Sequence, residues 1–326
     1  MPQRHQRQHK KALELSAPFA HNGGGQDSIR LIMMQWQVGE VLITKLTELE
    51  TEIDGGVPGG MLPDATVERV RGIDWLRPDY ATEAGRLKMS VHALLVQTPT
   101  MRLVIDTCIG NDKPRKSPMF DMLQTDFLQR LEQAGWTRES VDGVLCTHLH
   151  VDHVGWNTML VDGQWQPTFP RARYYMGRIE YDHWLQSSTR PDTRAIMQDS
   201  VEPVVDAGLA SFVEVDQRIC EEIRLIPSPG HTPGHVCVVI ESQGQRALIT
   251  GDCMHHPVQI AHPEWSSDFD SDKDASRSTR TDLIGRLADT PTLLIGTHFS
   301  GRSGGRVLRE GPAYRFAPDN GLSGSS

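Results

Sequence analysis

The segment Thr147-His148-Leu149-His150-Val151-Asp152-His153 puts four metal-capable side chains within six residues. Alternate residues of an extended segment point the same way. His148 and His150 therefore converge on one position, and Asp152 and His153 turn toward a second. A lone histidine in a loop is usually a cap or a hydrogen-bonded turn residue, but that reading does not account for a whole HxHxDH unit. Three more candidates stand at the ends of apolar runs: His235 in Gly230-His231-Thr232-Pro233-Gly234-His235, Asp252 in Thr250-Gly251-Asp252, and His298 in Gly296-Thr297-His298. Neutral imidazole and carboxylate suit zinc by default, with manganese, iron and cobalt as alternatives. A water between two such ions loses a proton near neutral pH. Such a site would supply a hydroxide for attack on a carbonyl carbon or a phosphorus, Asp152 or Asp252 would accept or pass on the proton, and no Ser or Cys nucleophile would be needed.

These residues must be delivered by strand ends to a common rim, and the pattern supplies the strands. Val41–Ile53 reads as a strand, and 54–85, rich in Gly, Pro and charge, as a long loop of the kind that often carries function. Residues 90–97 and 101–105 read as a hairpin across Thr98-Pro99-Thr100. A helix is expected over 121–134, closed by Gly135. A strand over 141–147 runs straight into the histidine cluster. A strand at 172–176, a helix at 179–185 and a helix at 193–207, bent near Pro203, come next. Strands at 223–226, 235–241 and 246–250, a helix at 272–289 and a strand at 292–296 complete the series. The Gly-, Ser- and Arg-rich stretch from Gly301 reads as a partly ordered ending. Residues 1–28, with the Gly23-Gly24-Gly25 break, read as a flexible extension, and 29–326 as one domain. The order implies a mixed α/β fold with two sheets packed together and helices outside.

The whole chain has 326 residues, with 33 Lys and Arg against 42 Asp and Glu, hence a formal charge of −9. That balance disfavours a phosphate-backbone surface, and with it a nucleic-acid partner. Arg302, Arg306 and Arg309 are too few to reverse this. No apolar run approaches the roughly 18 residues of a membrane helix, so no membrane partner is expected. The N-terminus lacks the apolar stretch, about 7–15 residues long, of a secretory signal, so a cytoplasmic location is expected. Five cysteines without a CxxC read as buried reduced thiols.

HxHxDH, GHTPGH, TGD and a late strand-end His, in that order, resemble the metallo-β-lactamase fold superfamily over roughly residues 41–300. The resemblance implies an αββα sandwich with a metal pair at one edge. By position, His148, His150 and His235 would hold the first ion, and Asp152, His153 and His298 the second. Asp252 would bridge them, and Asp106 would orient a ligand histidine through its other ring nitrogen. His231 reads as a turn residue, because His235 matches the ligand position better. Zinc β-lactamases typically lack an Asp where this chain has Asp252. The diiron flavoproteins have Glu at the position of His150. Signatures of transfer-RNA-processing and glutathione-thioester members are not found. The chain most resembles N-acyl-homoserine lactonases and methyl-parathion-hydrolase-like enzymes.

That resemblance implies a small ester substrate, with a lactone preferred. Phosphotriester or thioester hydrolysis is the alternative, and a nuclease ranks below both. It also suggests a homodimer. His255 stands three after Asp252, where the lactonases place a substrate-contacting Tyr, and would donate to a developing oxyanion or leaving group. Trp156 replaces a frequent Gly and would thicken the pocket wall. His256 reads as a solvated loop residue. Residues 54–85 and 255–274, the second as a lid, would set the substrate.

Overall fold

The computed structural model describes residues 33–322. The expected extension at 1–28 lies outside the described residues. The strands, in chain order, are β1 Gln35–Val38, β2 Val41–Ile53, β3 Leu87–Gln97, β4 Arg102–Ile105, β5 Gly143–Leu145, β6 Thr158–Val161, β7 Gln164–Pro167, β8 Arg173–Gly177, β9 Ala210–Val213, β10 Ile223–Pro227, β11 Val236–Ser242, β12 Gln245–Ile249, β13 Leu293–Ile295, β14 Gly304–Glu310 and β15 Ala313–Pro318. The α-helices are α1 Val67–Arg71, α2 Phe127–Gln133, α3 Arg178–Ser187, α4 Pro191–Ile196, α5 Glu202–Asp206, α6 Val258–Ala261 and α7 Lys273–Leu287.

One sheet has seven strands in the order β1-β2-β3-β4-β5-β8-β9, and the other has six, β10 to β15 in sequence. Both are mixed. β4, β5, β8 and β9 run parallel, as do β12 and β13, and the remaining neighbours are antiparallel. β6 and β7 form a separate hairpin.

Alternation of side chains along the strands explains the layers. In β3, Leu94 and Val96 face the second sheet, while Ala93 and Leu95 face outward onto α2 and α3. In β11, Val238 and Ile240 face the first sheet, while Cys237 and Val239 face the segment 62–81 and α7. Strands buried on both faces read as nearly continuous apolar runs, as β3 and β11 do. The result is helix, sheet, sheet, helix, with one apolar layer between the sheets and one outside each.

The expected helix at 121–134 shrinks to α2, because 121–126 is tied to the preceding loop. Asp121 accepts the Arg115 N–H and Asn111 accepts the Thr125 N–H. The bend near Pro203 is present: a π-helical turn, Met197–Val201, separates α4 from α5. Between Gly301 and Pro318 the chain is not loose. Its small residues belong to β14, where Trp36 and Phe316 cover the backbone so closely that a Cβ on Gly304 would lie 2.5 Å from the indole. β1, β9 and the β6–β7 hairpin are short strands that the sequence pattern did not announce. No helix among the described residues is long and apolar enough to cross a membrane.

Candidate metal centre

Parallel neighbours end at the same edge of a sheet. β4 and β5 release Asp106 and the 147–153 loop at one edge, and β12 and β13 release Asp252 and His298. β11 runs antiparallel to β12, so the loop that precedes it, 228–235, lies at that edge as well. The candidate residues meet there and are buried, save for Asp152 and His150, which are half-buried.

They form two groups around Asp252. In the first, His148 Nε2 lies 3.0 Å from His150 Nδ1, which lies 2.8 Å from His231 Nε2. Asp252 Oδ2 is 3.7 Å from His148 Nε2 and 3.4 Å from His231 Nε2. In the second, His153 Nε2 and His298 Nε2 are 3.2 Å apart. Asp252 Oδ1 lies 3.3 and 3.2 Å from them, and Asp152 Oδ2 is 3.5 Å from His298 Nε2. Donor atoms around a tetrahedral ion with bonds of about 2.0–2.1 Å are spaced by about 3.3 Å, so both groups have the right size for one. Asp252 Oδ1 is buried without a hydrogen-bond partner. A carboxylate oxygen in that state is costly unless a cation meets it. Both groups are able to hold a metal ion.

The far ring nitrogens of four of these imidazoles are already engaged. His298 Nδ1 donates to the Ser90 carbonyl at 3.0 Å. His153 Nδ1 meets Asp106 at 2.9 Å, and His231 Nδ1 meets Asp270 at 3.0 Å. His148 Nδ1 is 3.1 Å from the Thr147 hydroxyl, which itself lies 2.9 Å from Asp106. Partners of this kind put the proton on Nδ1 and leave the Nε2 lone pair for an ion. Asp106 takes φ +56° to make these contacts, a left-handed conformation that Asp tolerates better than most residues.

Burial holds His148, His150 and His231 below the ordinary imidazole range, hence neutral. Burial opposes charge on His153 and His298 too, but Asp252 and its neighbouring carboxylates outweigh it and raise both. Burial would likewise raise Asp252, yet the surrounding histidines hold it well below the usual carboxylate range.

The structure corrects the sequence reading at His235. Its Nε2 accepts the Asp252 N–H at 2.9 Å and its Nδ1 pairs with the Ser228 hydroxyl at 2.7 Å, so no lone pair remains for an ion. His231, four residues earlier, enters the cluster instead. Both histidines flank the same turn, and only the path of that turn selects between them. His148, His150, Asp152, His153, Asp252 and His298 are brought together as expected, and Asp106 orients His153.

His255 also faces the cluster. It is buried with both ring nitrogens unpartnered, and its Nε2 lies 3.5 Å from Asp252 Oδ2. Burial pushes it down to about 3 against the pull of Asp252. Trp156 is no pocket wall: it stacks on Phe127 and donates to Glu48 at 2.6 Å inside the core. His256 is not solvated. It is fully buried, with Nε2 on the Tyr80 carbonyl and Nδ1 accepting the Val258 N–H. The segments 54–85 and 255–274 are stitched together where Asp268 meets Gly59 and Gly60. Sequence reasoning assigned no role to Ser228, which pairs with His235 seven residues on, or to Glu180, whose backbone partners Leu149 and Gly234 lie 31 and 54 residues away.

The sequence model of the metallo-beta-lactamase superfamily matches residues 87–298, well over half of the chain. The chain belongs to that superfamily. Its two mixed sheets with outer helices are the α/β architecture of the fold. A probable metallo-hydrolase of Mycobacterium tuberculosis is 26% identical over 183 residues, 51% of this chain and 57% of that protein. The chain thus spans little more than half the length of this curated relative. An N-acyl homoserine lactonase of Bacillus cereus is 21% identical over 242 residues, 70% of this chain and 89% of that protein. Among solved structures, hydrolase AbOPH superposes with a TM-score of 0.73 at 25% identity, covering 88% of this chain and 97% of its own. AidC, a dizinc quorum-quenching lactonase, gives 0.73 at 21% identity over 89% and 98%, a likeness of fold.

Proposed function

We propose that the protein is a dinuclear metal-dependent hydrolase of a small ester, with a lactone as the favoured substrate. The observation that carries this is Asp252: its two oxygens face two separate groups of imidazoles, and buried Oδ1 has no hydrogen-bond partner. The named lactonase relatives support the substrate class. His148, His150 and His231 would hold one ion and Asp152, His153 and His298 the other, with Asp252 shared. Two divalent ions, zinc by default, supply Lewis-acid polarisation and a water of lowered pKa when bound.

The chain's own residues do the rest. Asp106, Thr147, Asp270 and the Ser90 carbonyl hold the imidazoles in the ligating tautomer. Asp152 is the more open of the two central carboxylates and takes the proton of the attacking water at an Oδ atom, then returns it to the leaving oxygen. His255, neutral and unpartnered, donates a hydrogen bond from a ring nitrogen to the developing oxyanion or the leaving oxygen. The loops 54–85 and 255–274 exclude bulk water.

The test is a panel of lactones, an aryl phosphotriester and a thioester at equal enzyme concentration, before and after chelation and reloading with zinc. Lactone turnover that disappears with the metal and returns with it is the expected result. Full activity in chelator, with less than one ion per chain, would sink the proposal.

A further inference from the structure

We infer that Glu180 is a positioning residue that straps together the two loops carrying His148, His150 and His231, and so sets the affinity of that half of the centre alone. The inference rests on the metal-centre reading above.

Glu180 lies in the first turn of α3 and is only 1% exposed. A carboxylate is rarely buried so fully unless its oxygens are satisfied. Here every hydrogen-bond partner found for it is a neutral N–H. Oε1 accepts from the Leu149 backbone at 3.1 Å and from the Trp184 indole at 2.6 Å, and Oε2 accepts from the Gly234 backbone at 3.0 Å. Leu149 stands between His148 and His150. Gly234 belongs to the turn that begins at His231. Trp184, held by the same oxygen, sets its ring edge-on to His150 with centroids 5.1 Å apart. One side chain thus touches both segments that supply the three imidazoles, and buttresses His150 through a third contact.

The approach has a steric requirement. A Cβ on residue 234 would lie 2.3 Å from the Glu180 backbone nitrogen, so only glycine lets the turn come within reach. The strap also has a purpose. His150 Nδ1 lies 3.0 and 2.8 Å from the other two ring nitrogens, and three lone pairs turned toward one point repel unless a cation meets them, so the loops tend to spread. Hydrogen bonds to a carboxylate are about twice as strong as neutral ones and resist that. None of the Glu180 hydrogen bonds reaches Asp152, His153 or His298.

The experiment is zinc titration and metal content after dialysis, with cobalt absorption spectra of the reloaded chains. Glu180→Gln keeps the shape but sets an NH2 group against one of the N–H donors. Wild type is expected to hold two ions. Glu180→Gln should hold one of them 10–100-fold more weakly, with the constant of the other unchanged. Asp152→Asn should weaken the other ion, and the double variant should weaken both. Glu180→Asp, which keeps both oxygens on a shorter arm, should fall between wild type and Gln. It covers the case in which Gln does not fold. Leu225→Ala, a cavity between the sheets, should lower stability and leave both constants alone. Equal weakening of both ions in Glu180→Gln, no weakening, or a double variant in which one constant stays at its wild-type value overturns the inference while leaving the proposed function standing. A wild type that takes up no ion overturns both.

Discussion

His153 and His298 lean on the interior of the molecule, whereas His150 and His231 lean on its coverings. Behind the first pair stand Asp106 at the end of β4, the Ser90 carbonyl of β3, and Lys45 of β2, which donates to the Phe299 and Gly301 carbonyls just after His298. All belong to the seven-stranded sheet or pack on it. Behind the second pair stand α3, through Glu180 and Trp184, and the 255–274 loop, through Asp270. Charge divides the same way. The sheet-backed imidazoles are raised by carboxylates, while the loop-backed ones stay neutral under burial. The second half can therefore be loosened without disturbing the apolar layer between the sheets.

The largest effect should come from the one residue that both halves share. Asp252→Ala is expected to lose both ions on dialysis and to lower turnover on the order of 10³-fold or more. Two ions retained with wild-type rates would show that the halves have no common bridge. Next in size is the contrast between two histidines of one turn. His231→Ala should lose one ion and about 10²-fold in rate. His235→Ala should keep both ions and cost about 1–3 kcal/mol of stability, because the Asp252 N–H loses its acceptor. Metal analysis beside denaturant melts separates the two, and the reverse pattern would restore His235 as the ligand.

A smaller pair sharpens the division itself. Asp106→Asn should act mainly on the ion at the sheet-backed half, through His153, and more weakly on the other through Thr147 and His148, whereas Asp270→Asn should weaken only the ion at the loop-backed half, each main effect 10–100-fold. Stepwise zinc titration would break the comparison if both variants acted mainly on the same ion. The mildest effect concerns Lys45, which touches neither group. Burial lowers its ammonium to about 8, with Glu50 opposing. Below pH 8 the lysine is protonated in both folded and unfolded chains, and the burial cost is present in full. Between pH 8 and about 10.5 only the unfolded chain keeps the proton, so folding gains. Wild type should therefore gain stability relative to Lys45→Met across that window, with no change in ion count. Denaturation midpoints of both proteins from pH 7 to 10.5 would show a flat difference if the ammonium is not perturbed.

Much of the centre was legible because its residues are local or terminate apolar runs. The bounds of β2 follow from its pattern alone, and HxHxDH announces metal chemistry without any fold. The layered α/β arrangement follows from the same periodicities. Legibility failed where a decision depended on the direction of a turn or on a partner far along the chain. His231 and His235 are equivalent as letters. His256 reads as a loop residue until the Tyr80 carbonyl, 176 positions away, is brought against it. Gly304 and Gly305 read as loose chain because the indole that covers Gly304 comes from Trp36.

The sequence by itself determined that imidazoles and carboxylates would gather at strand ends, since alternation and apolar runs are properties of the chain. Only the tertiary structure decided which lone pairs remain free. That depends on where the other ring nitrogen finds its partner: Asp270 leaves His231 open toward the cluster, while Ser228 and the Asp252 N–H close His235. A hydrogen bond formed across the fold removes a ligand, and spacing along the chain carries no record of it.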